Sequence, residues 1–334
     1  ASNNTAVGHN SLNANTTGTR NVAVGTQALD ANTTANNNTA VGYQSLTANT
    51  TGTKNVAMGD TSLATNTTGN NNTAIGTDAL AANTSGTLNT AVGSFALDAN
   101  TTGDSNTALG QGSLTVATTA DNNTAVGHAT LHLTTTGANN AAVGKDALRI
   151  NTTGSNNTAL GKDAGNILTT GSNNTCLGYQ AGTSSSPDGG IATGSNIIIL
   201  GNNSITDLKC KVSLTATSDE RDKADIIDFT KGLDIVNSLR PVTYKWDMRS
   251  NYSDDYSVTP DGTKKSNKTE IGLIAQEVET VEKANGYATS ENDRLFITKT
   301  TNNKHYGLKY ERLVPVLINA IKELSTKVTA LEAG

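Results

Sequence analysis

A glycine returns every 17 residues along the first half of this chain. It closes a small apolar tripeptide, Ala6-Val7-Gly8 in the first unit, and recurs at Gly25, Gly42, Gly59, Gly76, Gly93, Gly110, Gly127, Gly144, Gly161 and Gly178, eleven copies in all. Asn stands four positions before each of them, from Asn4 to Asn174, and Leu four positions after nine of them, from Leu12 to Leu148. An Asn-Thr-Thr-Gly turn closes many units, as at Asn15 to Gly18 and Asn151 to Gly154. A fixed period with a β-compatible tripeptide and turn residues at constant offsets describes a solenoid with one coil per unit. Helical repeats are excluded, because Gly, Asn and Thr are poor helix formers and nothing recurs at 3.6 residues. Coils stack at roughly 4.7 Å, so eleven make a rod of about 50 Å. Identical neighbours then form ladders of Asn, Thr and small apolar residues, which satisfy side-chain amides well.

The repeat does not run to the end. Residues 1–187 carry five Lys or Arg, eight Asp and no Glu, whereas the rest of the 334 residues hold 19 basic and 21 acidic side chains, the single Trp and two of the three Phe. The expected organisation is a repeat shaft over 1–187 and a last irregular coil (Ile197 to Gly201) with a connector over 188–217. A small α+β domain follows over 218–334. Charged residues are only 16% of the chain and aromatics 4%, so a large aromatic core does not hold it together. No run approaches the ~20 apolar residues of a membrane helix, and Ala1 follows neither a Met nor a basic-then-apolar leader; the expectation is a fragment or processed form without membrane insertion. Cys176 and Cys210 are too few for a disulfide framework or a zinc site. A net charge of -5 without a basic cluster argues against nucleic acid as a partner. No cofactor or metal is expected.

Alternation along each strand carries a further implication. In Thr39-Ala40-Val41, Ala40 and Val41 point to opposite faces, yet both are apolar in nearly every copy. One face fills the coil. The other, the column of Val7, Val24, Val41, Met58 and Ile75, is an aggregation hazard in water, which implies an oligomer with this column at its axis. The many Asn-x-Thr triplets, such as Asn15-Thr16-Thr17, fit the glycosylation acceptor pattern but fall at the turn period and read as turn chemistry. His9, His128 and His132 read as surface residues that form no metal site.

The second half reads as ordinary α+β structure. Lys231 to Leu239 is expected as a short helix ended by Arg240-Pro241, followed by a strand from Val242 to Trp246. After a polar loop, 249–269, Ile271 to Ile274 reads as strand and Ala275 to Lys283 as helix, closed by Asn285-Gly286. Leu295 to Lys299 and Lys304 to Lys309 form an expected strand pair around Asn302-Asn303. Glu311 to Glu332 reads as a helix with Leu317, Ile321, Leu324, Val328 and Leu331 at spacings of four, three, four and three, a coiled-coil seam. An amphipathic helix packed on its own domain is the alternative; beside a repeat that already demands partners, the inter-chain seam is favoured.

Two resemblances add to these readings. The repeat resembles the head repeats of trimeric autotransporter adhesins of the YadA type and similar repeats in phage tail fibres, which implies a left-handed β-roll and a homotrimer. Residues 218–334 resemble the self-cleaving intramolecular chaperone at the C-terminus of endosialidase-type phage tailspikes. The blocks that carry this are Ser218-Asp219-Glu220-Arg221-Asp222-Lys223, Leu239-Arg240-Pro241-Val242-Thr243-Tyr244-Lys245-Trp246, Gly272-Leu273-Ile274-Ala275-Gln276-Glu277-Val278 and Tyr310-Glu311-Arg312-Leu313-Val314-Pro315, with Ala320-Ile321-Lys322-Glu323-Leu324 behind them. The resemblance implies a domain that drives trimeric folding of the preceding shaft and then cuts itself off between Thr217 and Ser218. The family's nucleophile and lysine fall on Ser218 and Lys223; Asp219 and Arg221 beside them are candidate supporting groups.

A Ser hydroxyl needs a base, and a lysine amine serves only when neutral, which asks for a fall from ~10.4 toward 7 or 8. Burial or a nearby cation such as Arg221 supplies such a fall. Positions five apart lie about 140° from each other on a helix and on opposite faces of a strand, so a bend or a lysine from a neighbouring chain must join them. The leading expectation is therefore a trimeric phage tail-fibre or tailspike shaft with a single-turnover serine autoprotease, located in a virion or at a bacterial surface and meeting a host cell-surface receptor or glycan. A structural adhesin that keeps its C-terminal domain as a trimerisation cap is the alternative. A glycan-cleaving enzyme is disfavoured, because the repeat has no Glu and its Asp residues stand singly.

Overall fold

The computed structural model describes residues 1–186, 190–211, 216–253, 257–299 and 305–334. Pro187, part of the connector, the Asn302-Asn303 turn and Lys304 lie outside them. The chain divides into two units, Ala1–Ile205 and Thr206–Gly334.

The first unit is the all-β solenoid that the period implies. Twelve three-residue strands, from β1 (Thr5–Val7) to β12 (Ile198–Leu200), form one parallel sheet in sequence order. Each strand pairs with the equivalent residues of the next unit, as Thr39↔Val56 and Ala40↔Ala57. The last step is longer: Thr175 of β11 (Thr175–Leu177) pairs with Ile198, 23 positions on.

The interior is thin and built from three columns. The central Ala of each strand from Ala23 to Ala159 is buried, as are the leucines from Leu29 to Leu148, every one at its own repeat position. Those leucines sit in the left-handed region, with φ of 52° at Leu29 and 49° at Leu148. That conformation costs roughly 1–2 kcal/mol, while burying the side chain returns about 1.5–3 kcal/mol, so the position tolerates Leu because its side chain fills the coil. Gly165 and Gly182 occupy the same position in the later coils. The strand-closing glycines have a stricter reason. A Cβ on Gly8, at φ +135°, would lie 2.5 Å from the carbonyl oxygen of Gly25 directly above it.

The third column is Asn, and it forms two ladders. Asn38 accepts at Oδ1 from the backbone N–H of Asn55 (2.9 Å) and donates from Nδ2 to the Gly52 carbonyl (2.8 Å), a pattern repeated along the unit. In the second ladder the turn asparagines bond each other, Asn66 Nδ2 to Asn49 Oδ1 at 2.9 Å, and also close their own turns. These turn asparagines are fully buried in the interior coils, so the Asn-x-Thr triplets serve the fold as turn residues. The second ladder lapses where the repeat does: Ala117 and Leu168 stand where an Asn would follow Asn100 and Asn151, and the Oδ1 atoms of those two are left unpartnered.

Asn89 is a sharp test of the ladder. It donates to the Gly103 carbonyl (2.8 Å) and accepts from both nitrogens of Asn106 (2.9 and 3.2 Å). Asn89→Ala strands a buried carbonyl and a buried N–H, and should cost about 2–6 kcal/mol. Thermal unfolding of the full chain should shift accordingly; an unchanged midpoint would show that the ladder contributes nothing net.

The second unit is small and α+β. Helix α1 (Leu233–Ser238), strand β13 (Val242–Tyr244), strand β14 (Glu270–Gly272), helix α2 (Ala275–Ala284), strands β15 (Ile297–Lys299) and β16 (Tyr306–Leu308), and helix α3 (Leu313–Glu332) follow in order. β13 pairs antiparallel with β14, and β15 with β16. Their core is Ile235, Val278, Phe296, Ile297 and Val316. Several expected bounds shift slightly: the first helix is Leu233–Ser238, the first strand ends at Tyr244 instead of Trp246, the second is Glu270–Gly272 instead of Ile271 to Ile274, and Tyr310–Arg312 form a 3₁₀ turn before α3 begins at Leu313. None of the described helices is long and apolar enough to cross a membrane.

Candidate functional site

The first block of the second unit folds as one tight turn. Asp219 caps the 3₁₀ helix Glu220–Asp222, accepting at Oδ1 from the Arg221 backbone N–H (2.9 Å). Its carboxylate also takes the Arg221 guanidinium in a two-pronged pair, Nε to Oδ1 at 3.0 Å and the terminal nitrogen to Oδ2 at 2.6 Å. The Lys223 N–H bonds back to the Glu220 carbonyl at 3.1 Å. This reversal answers the geometric problem of two residues five apart: Lys223 Nζ lies 2.7 Å from Ser218 Oγ, as a donor to it, within one chain.

The electrostatics follow from the same bonds. The Arg221 guanidinium, hydrogen-bonded to Asp219, holds the Asp219 carboxyl below its ordinary value, and Asp219 in turn raises Arg221. Arg221 is thus paired, and its charge is offset where Lys223 would otherwise feel it. Thr217, Ser218 and Lys223 are all exposed in the single chain, as are Ile226 and Ile227 just beyond them.

The three later blocks meet one another. Arg240 grips Glu277 through a two-pronged ion pair, which joins the second block to the third. Tyr310 of the fourth block accepts from the Leu273 N–H at 2.9 Å, and a Cβ on Gly272 would strike that same Tyr310 hydroxyl at 2.5 Å. Glu323 on α3 accepts from the Leu233 N–H (3.1 Å), tying α3 to α1. Sequence reasoning named these blocks without seeing that Arg240, Glu277 and Tyr310 are their fasteners. The described hydrogen bonds of the first block, by contrast, run within 218–223.

Helix α3 uses two faces. Val316 and Ala320 are buried on its own domain, so part of the amphipathic alternative holds. The seam residues are a different set: Leu317, Ile321, Leu324, Val328 and Leu331 remain exposed, Ile321 to 66%. Among the described residues no cluster of His, Cys, Asp or Glu could hold a metal ion.

Comparison with known proteins covers the first three blocks and ends before the fourth. No curated protein and no solved structure matches the chain significantly. A family model described as the chaperone of endosialidase matches residues 218–287, beginning at Ser218 itself. Residues 218–287 thus form a domain of the endosialidase chaperone family, carried behind a β-solenoid.

Proposed function

We propose that this chain is the C-terminal region of a phage tail-fibre or tailspike protein, a homotrimeric shaft that meets a cell-surface receptor or glycan. Its chaperone domain aligns three shafts and then releases itself by one self-cleavage between Thr217 and Ser218. The observation that carries the cleavage is the contact of Lys223 Nζ with Ser218 Oγ at the first residue of the family match. In the reaction, neutral Lys223 takes the Ser218 hydroxyl proton while Oγ attacks the Thr217 carbonyl. The Thr217–Ser218 C–N bond breaks as the Ser218 nitrogen gains a proton, which leaves an ester. Water hydrolyses that ester to a Thr217 carboxylate and a free Ser218 hydroxyl.

Trimerisation explains why the pair is exposed in one chain. A neighbouring chain laid over Ile226 and Ile227 would remove water from Lys223 and favour its neutral form, so cutting would follow assembly. Intact mass and a denaturing gel of freshly expressed protein test the reading directly. Two fragments meeting at Thr217–Ser218 are expected; a cut elsewhere would remove it.

The homotrimer has its own support in the outward column of each strand. Leu160 is 52% exposed and Val143 41%, with Met58, Ile75 and Leu109 alongside. Val92→Asp should abolish assembly, because three carboxylates would be buried together, each at several kcal/mol. Light scattering of the variant should give a monomer or aggregate; an intact trimer would place this column away from the axis.

A further inference from the structure

The residue two positions after each strand-closing glycine sits on the outer surface in the left-handed conformation, coil after coil. Its side chains link neighbouring coils: Gln44 Nε2 donates to Gln27 Oε1 at 2.9 Å, and Thr61 Oγ1 donates to Asp78. Phe95 follows at the same position, and then the column shrinks to Gly112 and Ala129 in consecutive coils. The backbone does not change there. Gly112 N–H bonds to the Ser94 carbonyl and Ala129 N–H to the Gln111 carbonyl, both at 3.0 Å, as Phe95 N–H does to Thr77. Only side chains are missing, and the gap is an open concavity of about 310 Å³.

The rim of this gap departs from the repeat as well. Phe95 stands on one side, 43% exposed. Five positions after the glycine, where other coils carry Ala, Asp, Asn or Thr, two consecutive coils carry His132 and Arg149. His132 Nδ1 lies 3.0 Å from the Gly112 carbonyl, which can only accept, so this nitrogen bears a proton and Nε2 is the one left to meet a ligand. Arg149 is fixed through Nε, 3.5 Å from Asp146 Oδ1, while its side chain stays 54% exposed and its terminal nitrogens have no described partner. Gln111 adds an amide at the edge. An exposed aromatic ring, a guanidinium and an imidazole nitrogen around one dent suit a ligand with an apolar ring face, hydroxyls and a carboxylate.

We propose that this concavity binds a hexuronic acid unit of an acidic polysaccharide. Arg149 takes the carboxylate, Phe95 stacks on one sugar face, and Gln111 and His132 Nε2 meet ring hydroxyls. The site gives chemistry to the receptor-binding part of the proposed function and rests on that reading.

The test uses the full chain with trigalacturonate as probe and its methyl ester as the uncharged control, read by ligand-observed NMR titration. Wild-type protein should bind the acid in preference to the ester. Gly112→Gln is the decisive variant. A Cβ there meets only Thr115 Oγ1 at 3.6 Å and His132 Nδ1 at 3.8 Å, and Gln already occupies this position at Gln27 (φ 60°) and Gln44 (φ 52°). The coil should therefore still fold, with a midpoint lowered only by what a side chain costs in this backbone conformation, while the filled concavity loses about tenfold or more in affinity. Arg149→Gln should keep weak sugar binding and lose the preference for acid over ester. Equal binding of acid and ester by the wild type, undiminished binding by Gly112→Gln, or no binding at all would overturn the site. Cleavage and light scattering on the same samples separate the two readings: a chain that cuts and trimerises yet ignores the probe refutes only this site.

Discussion

Ser218→Ala and Lys223→Ala should each leave the full-length chain whole under conditions in which the unaltered protein is cut to completion. The reaction has one turnover and its first attack comes from the chain's own Ser218, so loss of either partner removes that step itself, and the rate should fall by about a thousandfold or more. A structural role would predict something different. If Lys223 merely tied the turn together through its 2.7 Å contact with Ser218, Lys223→Arg would hold the turn and preserve cutting. A guanidinium stays protonated across the usable pH range and cannot take the Ser218 proton, so a base role predicts that Lys223→Arg is also uncut. Ser218→Cys supplies the complementary control, because a thiol can repeat the attack. The 3₁₀ turn depends on Asp219 and Arg221 only for its shape, so Asp219→Ala should slow cleavage without stopping it. Cutting that persists in Ser218→Ala would exclude the mechanism outright.

How far the sequence disclosed all this depends on what each residue's position had to express. The solenoid was legible because its period is strict and its constraints are local: a glycine whose Cβ would meet the next coil, an Ala with no room around it and an Asn that must feed two backbone groups repeat with the coil itself. The left-handed leucines were not legible, since Leu is rarely found at positive φ and only stacking reveals that its burial outweighs the cost. The last coil, Ile197 to Gly201, was legible as irregular, and its strand β12 pairs after a step of 23 residues because a loop inserted between strands leaves the strand pattern intact. At the proposed cleavage site the residues were nameable but their meeting was not. Five positions suit neither a helix face nor a strand face, and the Asp219 cap that bends the chain looks in sequence like one more charge in a charged run. Gly112 and Ala129 show the same limit from the other side. Read singly they are two small residues in turns; only the column above and below them shows that something is missing.

Residues 1–217 made without the rest of the chain should misassemble, whereas the same residues released by cleavage of the full chain should form trimers that resist heat and detergent. The reason lies in the sameness that made the repeat legible. A slip of one chain against another by a whole 17-residue unit restores nearly identical contacts, Ala opposite Ala and Val opposite Val, so three shafts specify their mutual register poorly. Long-range alignment of this kind is also slow, and the exposed apolar column is available for wrong pairings while it waits. Helix α3 offers what the shaft lacks. Val316 and Ala320 anchor it to its own domain, which leaves Leu317, Ile321, Leu324 and Val328 on a different face with spacings that repeat less than two heptads and admit little choice of register. Three such domains joined first would hold the chain ends level, and coils would then add from β12 toward β1. Once closed, each interior coil is held from both sides, so opening the rod requires many coils to part together and is slow even after the domain has gone. Size-exclusion chromatography and detergent gels of the two preparations decide the matter. A truncated shaft that reaches the same trimer in the same yield would show that the second unit does not act as a chaperone, and would favour an adhesin that keeps this unit as a cap.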